Sequence, residues 1–294
     1  MSLSRASRPG IVASLAVLFI SFGVLYAHVF AKLVHDWITN QNYSHGFLIV
    51  PIAVFLAWER RRALTEAEAD PSFLGLVAVV LSLGVLLAGV LGAELFLTRV
   101  SVPGVIAGTV LYVLGWRHLK ILAFPIAFLL LMIPLPAIVF NQVAFPLQLL
   151  ASRCGELALS VLQIPVLREG NVIILPNTTL EVAEACSGIR SLVSLLTLAI
   201  VYGYFTDPRA WARVTLALAS IPVAIVVNGF RVAGTGIAAH YFGPAAAQGF
   251  LHEFAGLFMF AAAFALLFGV RSVIGVLRRG RQRTAAAPIP EATV

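Results

Sequence analysis

The side chains best suited to chemistry in this sequence are Cys186, Arg231 and His252, with Arg190, Glu184, Asn228 and His45 as supporting or substrate-binding candidates. A thiol near its reference pKa of about 8.5 is mostly protonated at neutral pH, and a neighbouring imidazole or guanidinium shifts it toward thiolate. His252 can take the Cys186 proton and return it to a leaving amine. Arg231 keeps its charge, so its part is electrostatic: holding a carbonyl oxyanion or a substrate carboxylate. Arg190 follows Cys186 at i+4, on the same helical face. A helix starting at Ser187–Gly188 would add its unpaired N–H groups beside the sulfur. These features favour acyl transfer through a thioester.

Each of these residues also has a plainer reading. Cys154 is the only other cysteine, and in an oxidising compartment the two would tend to form a disulfide. Cys154 also fits an apolar helix stripe, where a small buried thiol is ordinary. Arg190 and Arg231 are of the type that snorkels at span ends. His252 can be an interfacial histidine; Asn228 or Glu253 would orient it as a base. His45, in Tyr43-Ser44-His45-Gly46, is either a rival base or part of a helix-start cap. Glu181 and Glu184 bracket the approach to Cys186 and either contact substrate or solvate the loop. Metal-ligand spacing, a phosphate loop and Gly-x-Ser-x-Gly are all missing, so no metal or cofactor is expected.

The elements that must hold these groups can be read from composition. Of 294 residues, 60% are hydrophobic and 11% charged, against about 45–50% and about 25% in ordinary globular chains. The mean hydropathy is +0.97. So few charged side chains cannot cover such an apolar surface in water. A disordered chain, a disulfide-rich secreted domain and a conventional cytosolic enzyme are excluded, leaving an all-α polytopic membrane protein. The net charge of +7 sits in short clusters between apolar runs, Arg60–Arg62 and Arg278–Arg283. Such clusters anchor a cytoplasmic side; no aromatic-interleaved basic stripe points to nucleic acid.

A hydrocarbon core of about 30 Å requires roughly 20 helical residues. Apolar runs predict about eight transmembrane helices: Ile11–Phe30, retained rather than cleaved, Phe47–Trp58, Phe73–Gly92, Val100–Trp116, Ile121–Ile133, Ser187–Tyr204, Ala212–Val232 and Leu251–Val270. The second run is short and the polar stretch His35–Gly46 precedes it. Residues 140–162 put Phe140, Ala144, Leu147, Ala151, Cys154 and Leu157 on one face, with Gln148, Ser152, Arg153 and Glu156 opposite. That pattern predicts an interfacial amphipathic helix. Short strands around two turns then predict a small β-rich outer loop over Val166–Val182, before the sixth span. One integral-membrane domain is expected over 1–275, followed by a basic, Pro/Ala-rich, disordered cytoplasmic tail over 276–294.

With both termini inside, most of the 20 Lys and Arg fall on the inner side: Arg5, Arg8, Arg60–Arg62, Arg117, Lys120, Arg209, Arg213 and the basic tail, as the positive-inside rule requires. The same topology puts Cys186, Arg231 and His252 at outer span ends, with Asp36 and His45 in an outer loop. Groups far apart in sequence therefore meet at one depth, and ionisable groups at membrane depth mark functional sites.

Taken together, Glu184-Ala185-Cys186-Ser187-Gly188-Ile189-Arg190-Ser191, Asn228-Gly229-Phe230-Arg231-Val232 and His252 before the last span resemble the signatures of the exosortases. Tyr43-Ser44-His45-Gly46 and the Gly170-Asn171…Leu175-Pro176 loop resemble that family too, and the likeness covers most of residues 30–275. It implies a membrane cysteine protease and transpeptidase of the bacterial inner membrane, in envelopes that make exopolysaccharide, acting at the periplasmic face. Substrates would be exported, membrane-anchored proteins with a C-terminal sorting signal of the PEP-CTERM kind: a short motif such as Pro-Glu-Pro, one transmembrane helix and a basic tail. Carried over, Cys186 is the nucleophile, and Arg231 and His252 complete the triad. Archaeal relatives place an arginine where this chain has His252. The competing readings are a transporter and a non-catalytic scaffold for polysaccharide or envelope export.

Overall fold

A computed structural model describes residues 8–176, 178–182, 188–243 and 250–285, with side chains described from residue 16 onward except at 250–255 and 277–285. Ten α-helices, two 3-10 turns and one small sheet make up the described chain. Its contacts divide it into two compact units, Met1–Pro136 and Ala137–Val294. Six helices are long and apolar enough to cross a bilayer, or seven if the broken pair Trp116–Met132 and Ala137–Val161 counts as one span.

The difference from the expected eight lies in the short runs. Helix α2 (Gly46–Glu59) has 14 residues and α6 (Trp116–Phe128) has 13. At a rise of 1.5 Å per residue each covers roughly 20 Å, less than a hydrocarbon core. The described residues of all eight apolar runs are mostly helical, but these two runs do not span alone.

The first unit holds α1 (Arg8–Thr39), α2, α3 (Arg61–Glu66), α4 (Phe73–Leu91), α5 (Leu95–Leu114) and α6. Helices α4 and α5 form a hairpin joined by three residues, 92–94. A Cβ on Gly75 would lie 2.1 Å from the Tyr112 nitrogen, and one on Gly108 2.8 Å from that of Val79. Glycine lets the two backbones meet, which matters because lipid supplies no hydrophobic drive for helix pairing. The Glu94 carboxylate caps α5 by accepting from the Leu97 N–H, 2.8 Å away.

Helix α1 corrects one expectation. It runs through most of the polar stretch to Thr39, so Asp36 is helical rather than part of an outer loop. Its carboxylate takes an ion pair, 2.5 Å long, from Arg99 inside α5. Arg99 is only 3% exposed, so it is an internal tie rather than a snorkelling span end. Tyr26 and Ser101 join the same two helices through their hydroxyls at 2.9 Å.

The second unit holds α7 (Ala137–Val161), strands β1 (Leu167–Glu169), β2 (Val172–Leu175) and β3 (Thr178–Glu181), then α8 (Ile189–Thr206), α9 (Ala210–Phe242) and α10 (Phe250–Ala285). The strands form an antiparallel sheet in the order β1-β2-β3, in the expected position. One cluster of Ala151, Leu159, Ile173, Val182 and Val232 welds the sheet to α7 and α9. Another, with Leu195, Leu216, Ala224 and Leu267, joins α8, α9 and α10. Beyond the end of α8, Arg271 donates to the Thr206 carbonyl at 2.8 Å and pairs with the buried Asp207 at 3.5 Å.

The buried face of α7 draws on both sides of the expected amphipathic pattern. Gln148 and Ser152 are buried with Phe140, Ala144 and Ala151, while Leu157 and Val161 are exposed. The Ser152 hydroxyl sits 2.9 Å from both the Gly170 carbonyl and the Leu149 carbonyl, so this face carries a polar contact to the sheet. At the C-terminus, α10 carries the basic residues Arg278 to Arg283 as helix through Ala285.

Candidate functional site

Cys186 and Glu184 lie outside the described residues, as does the His252 side chain. The segments that flank them are described, and all three fall in the second unit. Gly188 caps α8 in the left-handed conformation, with φ of +80°. A Cβ there would lie 2.8 Å from Cγ of Asn228, so the backbone two residues after Cys186 rests directly on α9. Asn228 itself is buried.

Three residues further along α9, Arg231 lies half-buried in a narrow crevice between α8, α9 and α10. Ser191 from α8, Asn228 and Gly256 from α10 line the same crevice, and Leu195, Val227 and Phe260 form its apolar wall. The Arg231 guanidinium carbon is 3.8 Å from where a Gly256 Cβ would stand. His252 precedes Gly256 by four residues on α10, which is the same helical face one turn away. Helix α9 continues beyond Arg231 to Phe242, so Arg231 stands within a long helix rather than at its end.

From the first turn of α8 it is Ser191, next to the half-buried Arg190, that lines the crevice. Sequence reasoning passed over Ser191 and Gly256. The i+4 relation of Gly256 to His252 was the available signal for one; Ser191 needed the geometry. Cys154 is a free thiol on α7, and a Cβ on Gly229 would meet its Sγ at 3.3 Å.

His45 belongs to the first unit. It occupies the N-cap position of α2 without a side-chain capping bond. Instead its Nε2 is 3.1 Å from the Leu131 carbonyl, and Trp37 donates its indole N–H to the Met132 carbonyl at 3.0 Å. The two rings thus serve carbonyls of the 3-10 turn Leu129–Met132 that follows α6, where backbone acceptors lack a helical partner. Burial pushes the His45 imidazole below the ordinary 6.5, partly offset by backbone hydrogen bonds that include Leu131. Among the described residues no group of three or more His, Cys, Asp or Glu is placed to hold a metal ion.

Gly188 supplies a direct test of the α8–α9 contact. Left-handed backbone costs an L-residue with a side chain about 1–2 kcal/mol, and Gly188→Ala would also drive its methyl into Asn228. At Gly243, with φ of +84°, a Cβ would meet no atom of the described residues within 4 Å. Gly188→Ala is therefore expected to lower thermal stability in detergent more than Gly243→Ala does. Equal losses would mean that the Asn228 contact contributes nothing.

Six helices long and apolar enough to cross a bilayer, with Ser191, Asn228 and Arg231 lining one crevice, define a multi-pass membrane protein. The family model described as Transmembrane exosortase matches residues 37–269, and the chain belongs to that family. No curated protein and no solved structure matches the chain.

Proposed function

We propose that this exosortase is a membrane-embedded cysteine protease and transpeptidase that removes C-terminal sorting signals of the PEP-CTERM kind from exported, membrane-anchored proteins. The observation that carries the reading is the double approach to α9: Gly188, just after Cys186, against Asn228, and Gly256, one turn after His252, against Arg231. Ser191, Asn228 and Arg231 from the first two motifs line one crevice with Gly256, and this supports the reading.

In this reading the Cys186 thiolate attacks the scissile carbonyl. Arg231 balances the charge that develops on its oxygen, where a fixed cation in a site of low dielectric is most effective. The tetrahedral intermediate collapses to a thioester as the C–N bond breaks, and His252 returns the thiol proton to the departing amine. Water or an amine then attacks the thioester and regenerates the thiol. The protein sits in the bacterial inner membrane with both termini cytoplasmic and the crevice toward the periplasm, and residues 1–275 act as one domain.

The experiment is processing of a co-expressed substrate carrying such a signal, scored by its loss of length. The wild type is expected to cut it, His252→Ala to fail and His45→Ala to retain cutting. Loss with His45→Ala alone would assign the base to His45. Retention in both would remove the imidazole from the mechanism, and an uncut substrate with the wild type would overturn the reading.

A further inference from the structure

The sheet ahead of Cys186 is built more tightly than a connecting loop needs to be. Strands β1 and β2 meet at Gly170–Asn171, a two-residue hairpin loop with φ of +64° at Gly170. Positive φ at the first central residue is a feature of the primed turns that suit strand twist. The Gly170 carbonyl accepts from Arg168 Nη1 at 2.8 Å and sits 2.9 Å from the buried Ser152 hydroxyl. Arg168 Nε pairs with Glu156 of α7 at 2.7 Å. The turn is thus fixed to α7 by two independent polar contacts.

The pairing just beyond the turn is less usual. The β2–β3 ladder runs from Leu175–Thr178 to Val172–Glu181. The next pair would be Asn171 with Val182, but the Asn171 backbone already belongs to the hairpin loop. The Val182 N–H nevertheless donates to the Asn171 carbonyl at 2.9 Å. The Asn171 side chain completes the pair, donating from Nδ2 to the Val182 carbonyl at 3.3 Å. The amide side chain here donates to the carbonyl that a further ladder pair would serve. Val182 is also buried in the cluster between sheet, α7 and α9, so it is held by packing and by a complete hydrogen-bonded pair.

Cys186 lies four residues after Val182 and two before Gly188. We infer that Asn171 is a positioning residue for the reaction at Cys186, fixing at Val182 the upstream end of the segment that carries the thiol, while the Gly188–Asn228 contact fixes the downstream end. The inference rests on the proposed role of Cys186. It gives the Gly-Asn turn a mechanical part in catalysis: reacting groups a single ångström out of place can cost about 100-fold in rate.

Asn171→Asp keeps the shape and the main-chain bond but replaces the Nδ2 donor with an acceptor facing the Val182 carbonyl. In full-length protein it is expected to lower kcat for signal removal about 10- to 100-fold while leaving KM within about twofold and detergent melting unchanged. Thr179→Ala, exposed on β3, is the sheet control and should leave kcat alone. A second readout needs no substrate: the pH profile of Cys186 alkylation by a water-soluble maleimide, in a Cys154→Ala background, should shift with Asn171→Asp and not with Thr179→Ala. A shifted profile beside a wild type that never cuts its substrate would uphold the positioning and remove the proposed function. An unshifted profile with unchanged kcat overturns the inference, and so does a parallel fall in kcat and stability in both variants.

Discussion

Cys186→Ala is expected to abolish signal removal, whereas Cys154→Ala should leave most of it intact. The contrast is large because the two sulfurs are given unlike work. A thioester cannot form on alanine, so loss of Cys186 removes the covalent route altogether. Cys154 is a free thiol on α7, packed against Gly229 of α9. Truncating it removes one sulfur from a half-buried contact, a change of about 1 kcal/mol in stability at most sites. The measurement is the fraction of co-expressed substrate shortened at steady state in each strain. Equal loss in both variants would point instead to a structural pairing of the cysteines and return the scaffold reading to the front.

The second large effect concerns Arg231, and here the informative substitution is lysine. Lysine keeps the charge but loses the planar fork that can meet an oxygen with two parallel N–H groups. The guanidinium lies in the α8–α9–α10 crevice with Asn228 and Ser191, facing Gly256. A donor aimed at a developing oxyanion is worth about 100- to 1,000-fold in kcat. Arg231→Lys should therefore lower kcat by about two orders of magnitude, and Arg231→Ala by at least as much. If Arg231 merely anchors a helix in the bilayer, lysine should substitute fully, since it snorkels as well as arginine. Full activity in Arg231→Lys would thus remove Arg231 from the chemistry.

Much of this architecture is legible in the residues. The apolar runs mark the six helices long enough to cross a bilayer, and the turn signals at Gly170 and Pro176 bracket the middle strand of the sheet. The motifs around Arg190, Arg231 and His252 fall on α8, α9 and α10, the helices that line the Arg231 crevice. Helix faces are harder to read. In a bilayer both the lipid and the neighbouring helix are apolar, so hydrophobic periodicity loses its power to tell inside from outside. Thus Leu157 of the apolar face is exposed while Ser152 of the polar face is buried. Asp36 failed for a related reason: polar side chains predict a loop only when nothing buried pairs with them, and Arg99 does. Asn171 stood within a recognisable motif, but its part depends on the ladder register, which no pattern in one strand can reveal.

The pairing of Arg99 with Asp36 bears on how the chain enters the membrane. An isolated arginine at the centre of a span costs about 2.5–3.5 kcal/mol to insert, and α5 carries one near its start. Synthesis proceeds from the N-terminus, so α1, with its carboxylate at Asp36, is made before α5. The three-residue link between α4 and α5 then lets those helices enter as a single hairpin. The acceptor is already in the bilayer when the cation arrives, so the order of translation spares Arg99 a passage through lipid without its counter-ion.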